Sequence, residues 1–226
     1  MSSFFITGTG TGIGKTLVMT ALCRQLKASG KTVTALKPVI SGYDPKDKNN
    51  DAALILKSCG LAPSPALMET IAPWRYAAPL SPSMAAAKEN NPVDMQALVK
   101  FCRDHAALAS DAVLAEGAGG VMSPLTENET MLDWMEALGW PAILVGGSYL
   151  GALSHMLSAF EALKSRGVRL QALVVCESER STVSLTDTAT ATERFLPPAI
   201  PVVKLPRIGG KDALWKNAPP IHWICE

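Results

Sequence analysis

Four glycines in the run Gly8-Thr9-Gly10-Thr11-Gly12-Ile13-Gly14-Lys15-Thr16, set between an apolar stretch and an amphipathic one, constrain this chain more than any other feature. Ser3-Phe4-Phe5-Ile6 reads as a short buried strand, and Val18, Ala21, Leu22, Gln25 and Leu26 follow with helical spacing. A strand, a glycine loop and a helix in that order open a parallel α/β unit whose loop cradles a polyphosphate. Glycine lets the backbone turn its N–H groups inward without Cβ clashes, and the helix N-terminus adds unpaired donors and a positive dipole end. In such a loop Lys15 reaches the terminal phosphates and the Thr16 hydroxyl ligates Mg²⁺. The spacing is a variant, because Thr9 stands where the usual pattern has its first glycine and Gly8 lies one residue further back. A flexible Gly-Thr linker has similar composition, but a linker is rarely bracketed by a strand and an amphipathic helix.

Downstream the pattern repeats. Strands are expected at 32–36, 112–115, 142–145, 170–175 and 202–203, and helices at 51–56, about 91–108, 131–138, about 150–166 and 184–195. Prolines are frequent between 61 and 92, which predicts irregular structure with short helices. Apolar, β-branched strands alternating with helices predict a mostly parallel sheet flanked by helices on both faces. At 226 residues with 48% hydrophobic content, the expectation is one doubly wound α/β domain over 1–226, of P-loop NTPase type. Ligands bind such sheets beyond the strand C-termini. The glycine loop, Lys37 and Glu116 all fall there.

A formal net charge of +1 leaves no electrostatic footprint for nucleic acid or an anionic membrane. No apolar run approaches about eighteen residues and no signal-like N-terminus is present, so a cytoplasmic protein is expected. Cys23, Cys59, Cys102, Cys176 and Cys225 are odd in number and scattered, which favours reduced thiols. His105, His155 and His222 are too dispersed for a histidine metal centre.

Taken one at a time, the remaining candidates have bland alternatives. Lys37 ends the second strand and could be a solvated charge or a second cation beside Lys15. Glu116 ends an apolar strand before Gly117-Ala118-Gly119-Gly120, where its carboxylate could reach the Thr16 metal. Asp51 starts a helix, a position that capping alone would explain. Ser41-Gly42 reads as a plain turn.

Together, these stretches resemble the dethiobiotin synthetase family. The likeness rests on the Gly8–Thr16 loop, Lys37-Pro38-Val39-x-Ser41-Gly42, Asn50-Asp51-Ala52, Ser81-Pro82, Glu116 to Gly120 with Pro124-Leu125, and Leu150-Gly151 with His155. It runs in order from the N-terminus to about residue 160 and thins beyond residue 170. It implies ATP-dependent closure of a cyclic urea on 7,8-diaminopelargonate with CO₂, through a carbamate and its mixed anhydride with phosphate. It also implies Lys37, Lys15 and Thr11 as catalytic residues, with Thr11 helping to hold the carbamate. The nucleotide would lie on Gly12, Ile13, Gly14, Lys15, Thr16, Leu17, Asp51, Glu116, Gly117, Ala118 and Gly119. Mg²⁺ would sit among Thr16, Asp51 and Glu116, and the substrate on Ser41, Leu150 and Gly151. A homodimer is implied, with the diamine site near the subunit interface.

The chain departs from the family at three places. Gly10 replaces the usual loop aspartate, Ser154 stands at a position commonly Asn, and Cys176-Glu177 stands where the family reads adenine with an Asn. A thiol is a poor substitute for an amide. Weaker adenine discrimination, or reading by backbone groups around 203–206, is therefore expected. Rival readings are a deviant-loop partitioning ATPase, which would carry a further lysine early in the loop, the synthetase half of a cobyrinate-type amidotransferase, and a catalytically impaired homologue.

Overall fold

The computed structural model describes residues 2–208 and 214–225. The single-domain expectation over 1–226 also takes in Met1, 209–213 and Glu226, which lie outside the described residues. In chain order the elements are β1 (Ser2–Gly8), α1 (Lys15–Ala28), β2 (Val33–Leu36), β3 (Val39–Ser41), α2 (Asp51–Ser58), α3 (Pro65–Ile71), β4 (Trp74–Tyr76), α4 (Pro82–Lys88) and α5 (Met95–Ala106). Then follow β5 (Ala112–Glu116), α6 (Met131–Leu138), β6 (Ala142–Gly147), α7 (Ala152–Ser165), β7 (Leu170–Cys176), α8 (Leu185–Glu193) and β8 (Val202–Leu205), with 3₁₀ turns at Leu214–Asn217 and His222–Cys225.

Six strands form one parallel sheet in the order β2-β5-β1-β6-β7-β8. The central strands are buried on both faces, which is why they read as continuous apolar runs rather than alternating ones. Phe5 from β1 meets Trp134 from α6 edge to face, with ring centroids 4.7 Å apart. Register decides what meets at the active end. Ile6 pairs with Glu116 and Gly8 with Val145, so the ends of β5 and β6 flank the start of the glycine loop.

Three features differ from the sequence expectations. A second, two-stranded parallel sheet pairs Val39–Ser41 of β3 with Trp74–Tyr76 of β4. Strands of three residues carry no usable periodicity, and their pairing is set by a crossover through α2 and α3. Helix α5 begins at Met95, because Asp94 caps it by accepting from the Gln96 and Ala97 N–H groups at 2.8 and 3.0 Å. Strands β6, β7 and β8 also run one or two residues past their expected ends, keeping ladder partners to Gly147, Cys176 and Leu205.

The C-terminal segment is held to β7 by the Gln171 amide, which donates to the Ile224 carbonyl at 3.0 Å, and to α1 by Gln25. The Gln25 amide donates to the carbonyls of Ala218 and Pro219 and accepts from the N–H groups of Ile221 and His222, at 2.7–3.4 Å. Ile221, Ile224 and Cys225 are thereby buried. All five cysteines are buried, and Cys23, Cys59, Cys102 and Cys176 are free thiols. Among the described residues, no helix is long and apolar enough to cross a membrane.

Candidate active site

The glycine loop turns from β1 into α1 with Gly14 as N-cap at φ 106°. Glycine is required there twice over, by the left-handed backbone and because a Cβ would come within 2.7 Å of Cys176 Sγ. Lys15, the first helical residue, is almost fully buried. Its Nζ donates to the carbonyls of Gly10 at 2.6 Å and Gly119 at 2.7 Å, tying the loop to the turn after β5. Burial, and next the positive charge of Lys37, lower its pKa from 10.5 to about 8; Glu116 and Asp51 oppose the shift.

At the next residue three oxygens converge. Thr16 Oγ1 lies 3.0 Å from Asp51 Oδ1 and 2.9 Å from Glu116 Oε1. A hydroxyl has one proton, so it can donate to only one of these carboxylates at a time. Glu116 Oε2 is buried with no partner among the described residues. The capping alternative for Asp51 is taken by Asn50, whose side chain accepts from the Ala53 N–H at 3.0 Å and leaves the Asp51 carboxylate free for the site. Among the described residues no group of three or more His, Cys, Asp or Glu is arranged for a metal. Two carboxylates and a hydroxyl do fit Mg²⁺, which prefers few protein ligands and keeps its remaining positions for water and phosphate oxygens.

Lys37 is not a solvated strand end. Only 3% exposed, it donates to Glu116 Oε1 at 2.8 Å and to the Gly117 carbonyl at 2.6 Å, and it stands 3.8 Å from Asp51 Oδ2. Burial pushes the Glu116 carboxyl above the usual carboxylate range, against the pull of Lys37. Two lysines and two acids therefore face each other, with Lys15, Lys37 and Glu116 buried and the Asp51 side chain 43% exposed.

These groups line a cavity of about 670 Å³ at the strand C-termini, together with Thr11, Gly12, Gly14, Leu17, Ser41, Ala118 and Gly119. The Ser41 hydroxyl is buried and has no partner among the described residues. Val39, Ile40, Pro79, Leu80 and Pro82 form an apolar wall. On the other side of the loop, a second cavity of about 540 Å³ is bounded by Gly10 to Gly14, Leu17, Tyr149, Cys176 to Glu179 and Leu205 to Ile208. Ile13 and Cys176 belong to this second space. Of the stretch 203–206, only Leu205 and Pro206 reach it.

Leu150 and Gly151 are not brought to either cavity within one chain. Leu150 is 79% exposed, and Gly151 caps α7 at φ 94°. The sequence reading missed the apolar wall, which depends on the β3–β4 crossover, and Ser123, which lines the first cavity from a turn with no motif of its own.

A family model described as an AAA domain matches residues 2–208. The chain is 48% identical over 184 residues to an ATP-dependent dethiobiotin synthetase BioD from Methylobacterium nodulans, covering 79% of this chain and 82% of that protein. It is 46% identical over 215 residues to the protein of the same name from Caulobacter sp. strain K31, covering 94% and 91%. Similar solved structures include chloroplast FtsY from Physcomitrella patens, at TM-score 0.57 and 15% identity, covering 97% of this chain and 62% of that one. A chain of the MinC:MinD cell division protein complex from Aquifex aeolicus gives TM-score 0.58 at 14% identity, covering 91% and 81%. At these identities the structural likeness concerns the fold alone.

Proposed function

The chain belongs to the family of ATP-dependent dethiobiotin synthetases, and on that premise we propose that it closes the cyclic urea of dethiobiotin from 7,8-diaminopelargonate, CO₂ and ATP. The observation that carries the proposal is the convergence of Lys15, Lys37, Thr16, Asp51 and Glu116 in one cavity. A general nucleotide hydrolase needs the phosphate loop and a metal site. A second buried lysine held within the same cavity answers a further need, the approach of an anionic carbamate to an anionic phosphoryl group.

The chemistry proceeds in three steps. One amine adds to CO₂ as a carbamate, a carbamate oxygen takes the γ-phosphoryl group, and the second amine displaces phosphate from the mixed anhydride. The attacking amine reacts in its neutral form, which Lys15 and Lys37 favour and Asp51 and Glu116 oppose. Lys15 leaves the Gly10 and Gly119 carbonyls to meet the phosphates, while Lys37 stays on Glu116 and Gly117 and stabilises charge on the transferring group. Thr11 and Ser41 offer hydroxyls to the carbamate and the diamine. The aliphatic chain lies on Val39, Ile40 and Leu80. Thr16, Asp51 and Glu116 would hold Mg²⁺, which supplies charge neutralisation across the phosphates.

The adenine end is assigned to the second cavity, where Cys176 offers no amide and selection among bases is weak. The exposed Leu150 beside the α7 cap supports a homodimer in which Leu150 and Gly151 complete the partner's substrate site. The buried free thiols of Cys23, Cys59, Cys102 and Cys176 suit a single-domain enzyme of the reducing cytoplasm. The reading is tested by ADP formation that requires diaminopelargonate and bicarbonate together. Lys37→Ala should abolish that reaction while sparing nucleotide binding, and normal turnover by this variant would contradict the assignment.

A further inference from the structure

Ser123 sits where the turn after β5 faces the first cavity, and its surroundings are unusually specific. Its hydroxyl accepts from the Gly120 N–H at 2.7 Å, while its own N–H donates to the Gly120 carbonyl at 3.0 Å. Its carbonyl accepts from the Met131 N–H at 3.0 Å, which fixes the turn to the start of α6. The oxygen lies against Gly119. A Cβ at that residue, which has φ 71°, would come within 2.2 Å of it. The hydroxyl thus fills the place of a side chain on the residue whose carbonyl receives Lys15 Nζ at 2.7 Å.

A serine hydroxyl that accepts one N–H still has its own proton to donate. Among the described residues no acceptor is in place for it, and Ser123 shares the cavity wall with Lys15, Lys37 and Thr16. When a polyphosphate draws Lys15 away from Gly119, the oxyanion enters the space beside that carbonyl. The Ser123 hydroxyl, set against Gly119 and held by the Gly120 N–H, borders that space.

We propose that Ser123 is a further catalytic residue, its hydroxyl oriented by the Gly120 N–H and donating to an oxygen of the phosphoryl group being transferred between Lys15 and Lys37. The proposal rests on the synthetase reading above. Its chemistry is that of a hydrogen bond to developing negative charge, made more fully in transfer than in the resting complex.

The test compares wild type, Ser123→Ala and Ser123→Thr in ADP formation dependent on diaminopelargonate and bicarbonate, with ADP affinity and melting temperature measured alongside. Loss of a hydrogen bond to a charged group predicts kcat lowered by roughly 10- to 100-fold in Ser123→Ala. ADP affinity should change by less than about threefold, and Ser123→Thr, which retains the hydroxyl, should recover most of kcat. Ser123→Ala with wild-type kcat overturns the assignment. So does an equal loss in ADP affinity and kcat that Ser123→Thr does not restore, which marks the residue as a support for the turn only. A wild-type protein lacking the diamine-dependent reaction overturns the synthetase reading and this role with it, a result distinct from either variant's.

Discussion

Raising the pH from about 7 to about 9 should weaken nucleotide binding, and Lys15 sets where the loss begins. In the free protein, burial and the Lys37 cation bring its pKa from 10.5 to about 8. A bound polyphosphate favours the charged lysine, so the pKa in the complex lies above that of the free protein. Below the free value Lys15 is protonated in both states, and affinity is independent of its titration. Above it the free protein loses the proton and binding must take one up. Affinity should then fall about tenfold per pH unit, or about 1.4 kcal/mol, until the pKa of the complex is reached. At about pH 8.5 binding should take up roughly three quarters of a proton. Calorimetry with ADP in two buffers of different ionisation enthalpy reads that uptake directly. Lys15→Arg keeps its charge across this range and should flatten the profile. Constant affinity from about pH 7 to 9.5, with no buffer-dependent heat, would refute the low pKa and the burial argument behind it.

Other substitutions probe the rest of the account. Lys37→Ala strands the buried Glu116 carboxylate and should cost about 3–5 kcal/mol in denaturant unfolding; adding Glu116→Gln should recover much of that stability and none of the turnover. Gln25→Ala leaves the Ile221 and His222 N–H groups without their acceptor and should cost about 2 kcal/mol, read as a fall of roughly 4–8 °C in melting temperature. A side chain at Gly10 meets nothing within 4 Å, so Gly10→Asp should leave the melting temperature within about 2 °C of wild type and raise turnover several-fold. With Cys176 in the second cavity, ATP, GTP and CTP should support turnover within about tenfold of one another; a strong ATP preference that Cys176→Ala removes would show that the thiol reads the base.

The sheet was legible because each central strand is an apolar run between turn signals, and a parallel sheet covered on both faces demands that pattern. Glu116 was legible for a related reason. An acid closing such a run, followed by glycines, has no ordinary place in a core. Lys37 was ambiguous until its depth was known, since its sequence context does not distinguish a solvated strand end from a lysine held by Glu116 and the Gly117 carbonyl. Asp51 was ambiguous because both it and Asn50 are good caps, and only the structure gives that task to Asn50. The β3–β4 pair and the apolar wall stayed hidden, since three-residue strands joined by a long crossover leave no periodic trace. Ser123 left no trace either, because its position depends on the fold of a single turn.

The central claim is that one cavity joins CO₂ to a diamine at the expense of ATP. It is tested most directly by incubating the protein with ATP, Mg²⁺, diaminopelargonate and ¹³C-bicarbonate, and following the ring carbonyl by mass spectrometry alongside ADP. The account predicts one labelled dethiobiotin for each ADP formed, and neither product with Lys37→Ala. ADP released at the same rate without the diamine, or with no label in a ring, would contradict it.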